Sequence, residues 1–127
     1  MSLPLQFSYT PDHEWVDDPN GPSAKIGVTD FAATALGDVV FVDLPKVGDL
    51  VEAGSECGEI ESTKSVSSLF APVSGTVTAV NQAVIDTPEL VNQDPFGLGW
   101  LFELSPTGGS AQLLDAAAYQ ELVASQA

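Results

Sequence analysis

Residues 47–80 read V-G-D-L-V-E-A-G-S-E-C-G-E-I-E-S-T-K-S-V-S-S-L-F-A-P-V-S-G-T-V-T-A-V. V-G-D-L-V-E-A-G-S at 47–55 is a strand bounded by glycines, and A-P-V-S-G-T-V-T-A-V at 71–80 is its counterpart. E-S-T-K-S at 61–65 therefore lies between two strands that face each other, which makes it a β-hairpin tip. Thr63-Lys64 is not an Asn-Gly pair, so the type of turn is not legible. The tip holds one of only three cationic side chains in the chain, with glutamates at 52, 56, 59 and 61 just upstream.

The rest of the chain extends this β pattern. Short β-branched or alternating runs stand at 23–29, 38–44, 57–62, 65–70, 76–80 and 99–104, with glycine and proline between them. Many short strands separated by turns predict a sandwich or barrel. Helical signals are few. Thr29-Asp30 caps F-A-A-T-A-L near 30–36 and Gly37 ends it. Asp115 caps A-A-A-Y-Q-E-L-V-A-S, and Ser110 is expected to cap a short helical turn before it. A length of 127 residues suits one domain over 1–127, with a core at about 23–105 and a helical extension at 110–127.

Composition removes several classes of function. Eighteen acids against three lysines give a formal net charge of −15. Phosphate and anionic-lipid surfaces need Lys and Arg, so the charge argues against nucleic acid and membranes as partners. No stretch is long and apolar enough to span a bilayer. One cysteine, Cys57, allows no internal disulfide and is read as a small strand residue. One histidine, His13, has no nucleophile nearby, and no Cys/His set has zinc spacing. These counts point away from an enzyme.

A turn lysine is ordinarily a solvated charge. Here Ser62, Thr63 and Ser65 are small and do not crowd the amine, and flanking strands give it a stiff support. Gly75 lies eleven residues on, beside Pro72, where a second tight turn is expected. A rigid, exposed lysine suits enzymatic attachment of a cofactor. An acylated lysine arm of the lipoyl type reaches on the order of 14 Å by bond count.

Five blocks in order resemble the lipoyl-carrier family of the glycine cleavage system, the H proteins. They are Y-T-P-D-H-E-W-V (9–16), I-G-V-T-D-F-A (26–32), L-G-D-V-V-F-V-D-L-P-K-V-G (36–48), G-E-I-E-S-T-K-S-V-S-S-L-F-A-P-V-S-G (58–75) and P-E-L-V-N-Q-D-P-F-G-L-G-W-L (88–101). The resemblance implies a mainly β lipoyl-domain fold, a flattened sandwich of two antiparallel sheets (a barrel-sandwich hybrid) with added helices. It implies lipoate attached to Lys64 as N6-lipoyllysine. It implies a non-catalytic shuttle that carries the aminomethyl group of glycine between three partners. These are the pyridoxal-phosphate decarboxylase (P protein), the folate-dependent aminomethyltransferase (T protein) and the flavin dehydrogenase (L protein). Lipoylating enzymes are further partners. Apart from the resemblance, M-S-L-P-L-Q-F at 1–7 has no basic region or apolar run, so the expected location is the cytoplasm of a bacterium, or the mitochondrial matrix after processing.

The resemblance also implies a cleft for the loaded arm, and a cationic amine favours carboxylates or hydroxyls there. Asp12 and Glu14 are the candidates. In a strand they would share one face, with His13 opposite. Solvated acids on an exposed edge are the competing reading. Glu61, Ser62, Thr63, Ser65 and Ser68 complete the tip and cleft set, and Ser68 stands where the family often has Asp. Asn92, Gly97 and Gly99 are read as loop-shaping residues. Biotin carriers place methionines beside the lysine, unlike Thr63 and Ser65. A lipoyl domain of a 2-oxo acid dehydrogenase lacks the D-H-E-W opening. A lipoate relay protein with the same Lys64 stays open as an alternative.

Overall fold

The computed structural model describes residues 3–126. Its strands are β1 (Ser8–Tyr9), β2 (Glu14–Val16), β3 (Ala24–Val28), β4 (Val39–Asp43), β5 (Leu50–Val51), β6 (Glu56–Ser62), β7 (Val66–Phe70), β8 (Val73–Val80) and β9 (Phe102–Ser110). Its helices are α1 (Asp30–Leu36), α2 (Gln82–Asp86), α3 (Leu90–Gln93) and α4 (Ala116–Gln126). Two antiparallel sheets result, of order β1-β2-β3-β9-β8-β5 and β4-β6-β7. The sheets do not close into a barrel, and the expected mainly β fold with short helices is what the chain adopts.

Alternation decides which side chains face inward. On β6, Ile60 and Ser62 are buried while Glu59 and Glu61 are exposed. Ile26, Val28, Val42, Ile60, Leu69, Val77, Phe102 and Leu104 meet between the sheets. Full burial of a large apolar side chain contributes about 1.5–3 kcal/mol, so this layer dominates stability. A second cluster holds Tyr9, Trp15, Ala116 and Tyr119, where α4 docks against β1. The Trp15 ring stacks on Phe7 at 4.7 Å, and its indole N–H donates to the Pro95 carbonyl.

The helix signals read from sequence are met at α1 and α4. The Thr29 hydroxyl accepts the Ala32 N–H, and Gly37 closes α1 with φ 81°. The Ala118 N–H donates to Asp115 Oδ1 at 2.8 Å. Among the described residues no helix is long and apolar enough to cross a membrane.

Four expectations need correction. Residues 47–55 are not an arm of the lysine hairpin. Only Leu50–Val51 is extended, and it pairs with β8 through Leu50–Thr76 and Val51–Gly75. The two runs do face each other, but β6 and β7 are the arms, with Glu61 opposite Val66 and Ile60 opposite Ser67. Gly75 is not in a turn. It lies within β8, where a Cβ would strike the Ser105 carbonyl oxygen, so the residue allows close approach of β9. Ser110 caps no helix, because β9 runs on to it. P-T-G-G at 106–109 resembles a turn, yet β3 pairs only with Phe102–Leu104. Beyond that point β9 has a single partner, β8, so Pro106 can sit where no second ladder needs its missing N–H. The helical extension therefore begins at Ala116, and residues 1, 2 and 127 of the expected domain span lie outside the described residues.

Candidate functional site

Lys64 sits at the end of the β6–β7 hairpin and is exposed. The turn is held from within by the buried Ser62. Its N–H donates to the Ser65 carbonyl at 2.8 Å. Its Oγ accepts from the N–H groups of Lys64 and Ser65 at 3.3 and 3.1 Å, and donates to the Ser65 carbonyl at 3.2 Å. Serine forms such local side-chain turns readily. No residue of this turn has positive φ, which is why an Asn-Gly pair is not needed. The turn also leans on the α1–β4 corner, where the Thr63 N–H donates to the Asp38 carbonyl at 3.0 Å.

A cavity of about 250 Å³ opens beside the hairpin. One wall is α1, with Phe31, Ala32, Ala35 and Leu36; the other is β7, with Val66, Ser67 and Ser68. Asp12, His13 and Glu14 close one side. The sequence candidates Asp12, Glu14, Ser65 and Ser68 thus come together in one cleft, while Glu61 and Thr63 remain exposed at the tip.

The three residues at 12–14 do not form a strand face. His13 has φ 68°, a left-handed conformation that turns the chain sharply between Asp12 and β2. Asp12 stays exposed, and Glu14 turns inward to 2 % exposure. The solvated-edge reading holds for Asp12 and fails for Glu14. One carboxyl oxygen of Glu14 accepts the Phe70 N–H at 2.9 Å and the other accepts the Thr10 hydroxyl at 3.0 Å. Burial nonetheless pushes its pKa up to about 8, and the charge on Asp12 adds to the rise.

His13 belongs to a hydrogen-bond network absent from the sequence reading. Its Nδ1 lies 2.8 Å from the Tyr119 hydroxyl, which lies 2.7 Å from Thr29 Oγ1. The ring packs against Phe31 at 4.8 Å. Burial lowers its pKa, favouring the neutral imidazole. One hydroxyl from α4 thereby joins the α1 cap to the bend at 13. Only the aromatic character of Tyr119 hinted at it in the sequence.

Asn92 does not shape a loop. It lies on α3, and its Nδ2 donates to the carbonyls of Gly37 and Ala33 at 2.7 and 3.2 Å. Its Oδ1 accepts the Val39 N–H at 2.9 Å. Cys57 is half-buried on β6, and its thiol pKa is pushed up to about 12 by burial, which keeps it unreactive at neutral pH.

The cleft is of mixed character. Val28, Phe31, Leu36, Ile60 and Val66 offer apolar surface for a hydrocarbon chain, and Glu14, Ser65, Ser67 and Ser68 offer polar groups for an amine. An exposed amine stands beside it at Lys64.

The chain is similar to known proteins along almost its whole length. Residues 7–126 match the model of the family described as glycine cleavage H-protein. A glycine cleavage system H protein from Beutenbergia cavernae is 56% identical over 126 residues, covering 99% of this chain and 100% of that one. One from Corynebacterium jeikeium is 52% identical, covering 94% and 95%. The crystal structure of a glycine cleavage system H protein from Mycobacterium marinum superposes with a TM-score of 0.91 at 46% identity, covering 96% of this chain and 99% of that one.

Proposed function

This chain belongs to the glycine cleavage H-protein family, and we propose that Lys64 is the residue through which it carries lipoate. The family is one of lipoyl carriers in glycine cleavage, and this chain has that role. Its partners lie within that system. In the proposed cycle they are the decarboxylase, the aminomethyltransferase and the dihydrolipoyl dehydrogenase, with a lipoylating enzyme acting first. In this reading the chain does no bond chemistry itself and works in the cytoplasm of a bacterium; the relatives named above come from bacteria.

The observation that carries the proposal is the exposed Lys64 on a turn pinned by Ser62 beside a fitted cleft. When attached, lipoate supplies a disulfide that accepts the aminomethyl group and two electrons. The chain's own residues hold and shield that cargo. Phe31, Leu36 and Val66 line the cleft with apolar surface, and an arm docked against it would be shielded from hydrolysis. Glu14 faces the cleft with a pKa of about 8, so it is mostly protonated at pH 7. A cationic amine brought beside it lowers that value, and the proton leaves to solvent. Docking thereby creates a carboxylate only when there is a cation to pair with it. Ser68 adds a hydroxyl.

Glycine–bicarbonate exchange by the decarboxylase tests the role. The lipoylated protein is expected to support exchange, and the unlipoylated protein is not. Absence of exchange with the lipoylated protein would instead favour a relay of lipoate to other enzymes.

A further inference from the structure

We propose that Gly37 and Asn92 form a saddle that fixes the direction in which the Lys64 side chain leaves its turn, making both of them positioning residues for attachment at its amine. The inference rests on Lys64 being the attachment residue.

The lysine stem lies along the Gly37 backbone. A Cβ at position 37 would stand 3.2 Å from Lys64 Cε, 3.7 Å from Cδ and 3.9 Å from Cγ. Three successive methylenes therefore run over the one residue in that corner without a side chain. Gly37 also has φ 81° and ψ −158°, a region that glycine alone enters without strain. Backbone geometry and close approach thus make the same demand.

The corner beneath the stem is fixed by a residue 55 positions away in sequence. Asn92 donates to two carbonyls at the end of α1 and accepts the Val39 N–H at the start of β4, so one amide ties both sides of Gly37–Asp38. The Asp38 carbonyl in turn accepts the Thr63 N–H. The corner touches the turn at two successive residues, Thr63 through a hydrogen bond and Lys64 through its stem. A flexible four-carbon chain held this way sweeps a narrower cone, and its amine meets an acyl donor more often in a reactive orientation. The saddle orients the amine from beneath and offers no docking contact of its own, so its loss is expected to act on kcat and leave KM in place.

Steady-state lipoyl transfer from lipoyl-adenylate by a lipoate ligase tests this with Asn92→Ala, Gly37→Ala and Gly54→Ala. Gly54 shares the positive φ, at 83°, but a Cβ there meets nothing within 4 Å. Asn92→Ala and Gly37→Ala are expected to lose roughly tenfold or more in kcat at near-constant KM, with Gly54→Ala unchanged. Folded variants with wild-type kcat, or with a change confined to KM, would overturn the saddle. Should either variant fail to fold, amide exchange on the wild-type protein decides. The Thr63 N–H is expected to exchange slowly, and exchange at the free-peptide rate would overturn the proposal. Lipoylation of Lys64→Ala would sink the attachment reading instead, without touching the Thr63 result.

Discussion

The Ser62–Ser65 turn and the Asp12–Glu14 bend border the same cleft and treat charge in opposite ways. In the turn, serine and backbone groups satisfy one another, so Lys64 keeps its water and its reach. In the bend, a left-handed His13 drives a carboxyl inward, where two hydrogen bonds only partly compensate for the lost water. The difference separates two tasks. An attachment residue must be reachable, whereas a cargo-holding residue must be dry enough for its charge to depend on what is docked.

The largest contrast comes from Lys64→Ala. It is expected to abolish lipoate attachment while changing stability by less than about 0.5 kcal/mol, as for an exposed surface site. Intact mass after incubation with a lipoylating enzyme, together with urea unfolding, checks both halves.

Glu14 comes next. Its folded pKa, about 8, lies above the ordinary value of 4.5, so the folded state binds the proton more tightly than the unfolded state. Its contribution to stability is greatest below the unfolded value. It is lost as pH rises toward about 8, and levels off above that. The loss amounts to a few kcal/mol, set against the midpoints of other groups. Glu14→Gln is expected to flatten that pH dependence and to be the more stable protein at pH 8.5. Urea midpoints at pH 5, 6.5 and 8.5 measure it, and parallel profiles would refute the buried-acid account.

Tyr119→Phe removes the hydroxyl that joins His13 to Thr29. A loss of about 1–2 kcal/mol is expected. The single imidazole resonance should also shift, because His13 loses its Nδ1 partner. Asp12→Asn is expected to be smallest, within about 0.5 kcal/mol, with a slight fall in the Glu14 pKa as a raising charge is removed. A carbon-labelled glutamate titration followed by NMR reads that fall.

Much of the turn was legible and little of the bend was. The β-rich pattern, the α1 and α4 caps and a lysine on a hairpin tip follow from local spacing, since each depends on neighbours a few residues away. The hairpin arms were misplaced because glycines punctuate 47–55 and 71–80 strongly, whereas β7 buries only Leu69 fully and shows weak alternation. The inward turn of Glu14 depends on the Phe70 N–H, 56 residues on, and on a positive φ at a residue type that gives no glycine-like signal. Asn92 looks like a loop residue until the carbonyls at the end of α1 are placed beside it. Both were invisible for one reason: their partners are set by the meeting of the sheets and not by the sequence nearby.

Peptide mapping by mass spectrometry of the native protein, recovered from cells with an active lipoylation pathway, tests the central claim most directly. The chain has three lysines, Lys25, Lys46 and Lys64. A single lipoyl increment on the peptide bearing Lys64, with the other two unmodified, is the expected result. An increment on Lys25 or Lys46, with Lys64 bare, would contradict it.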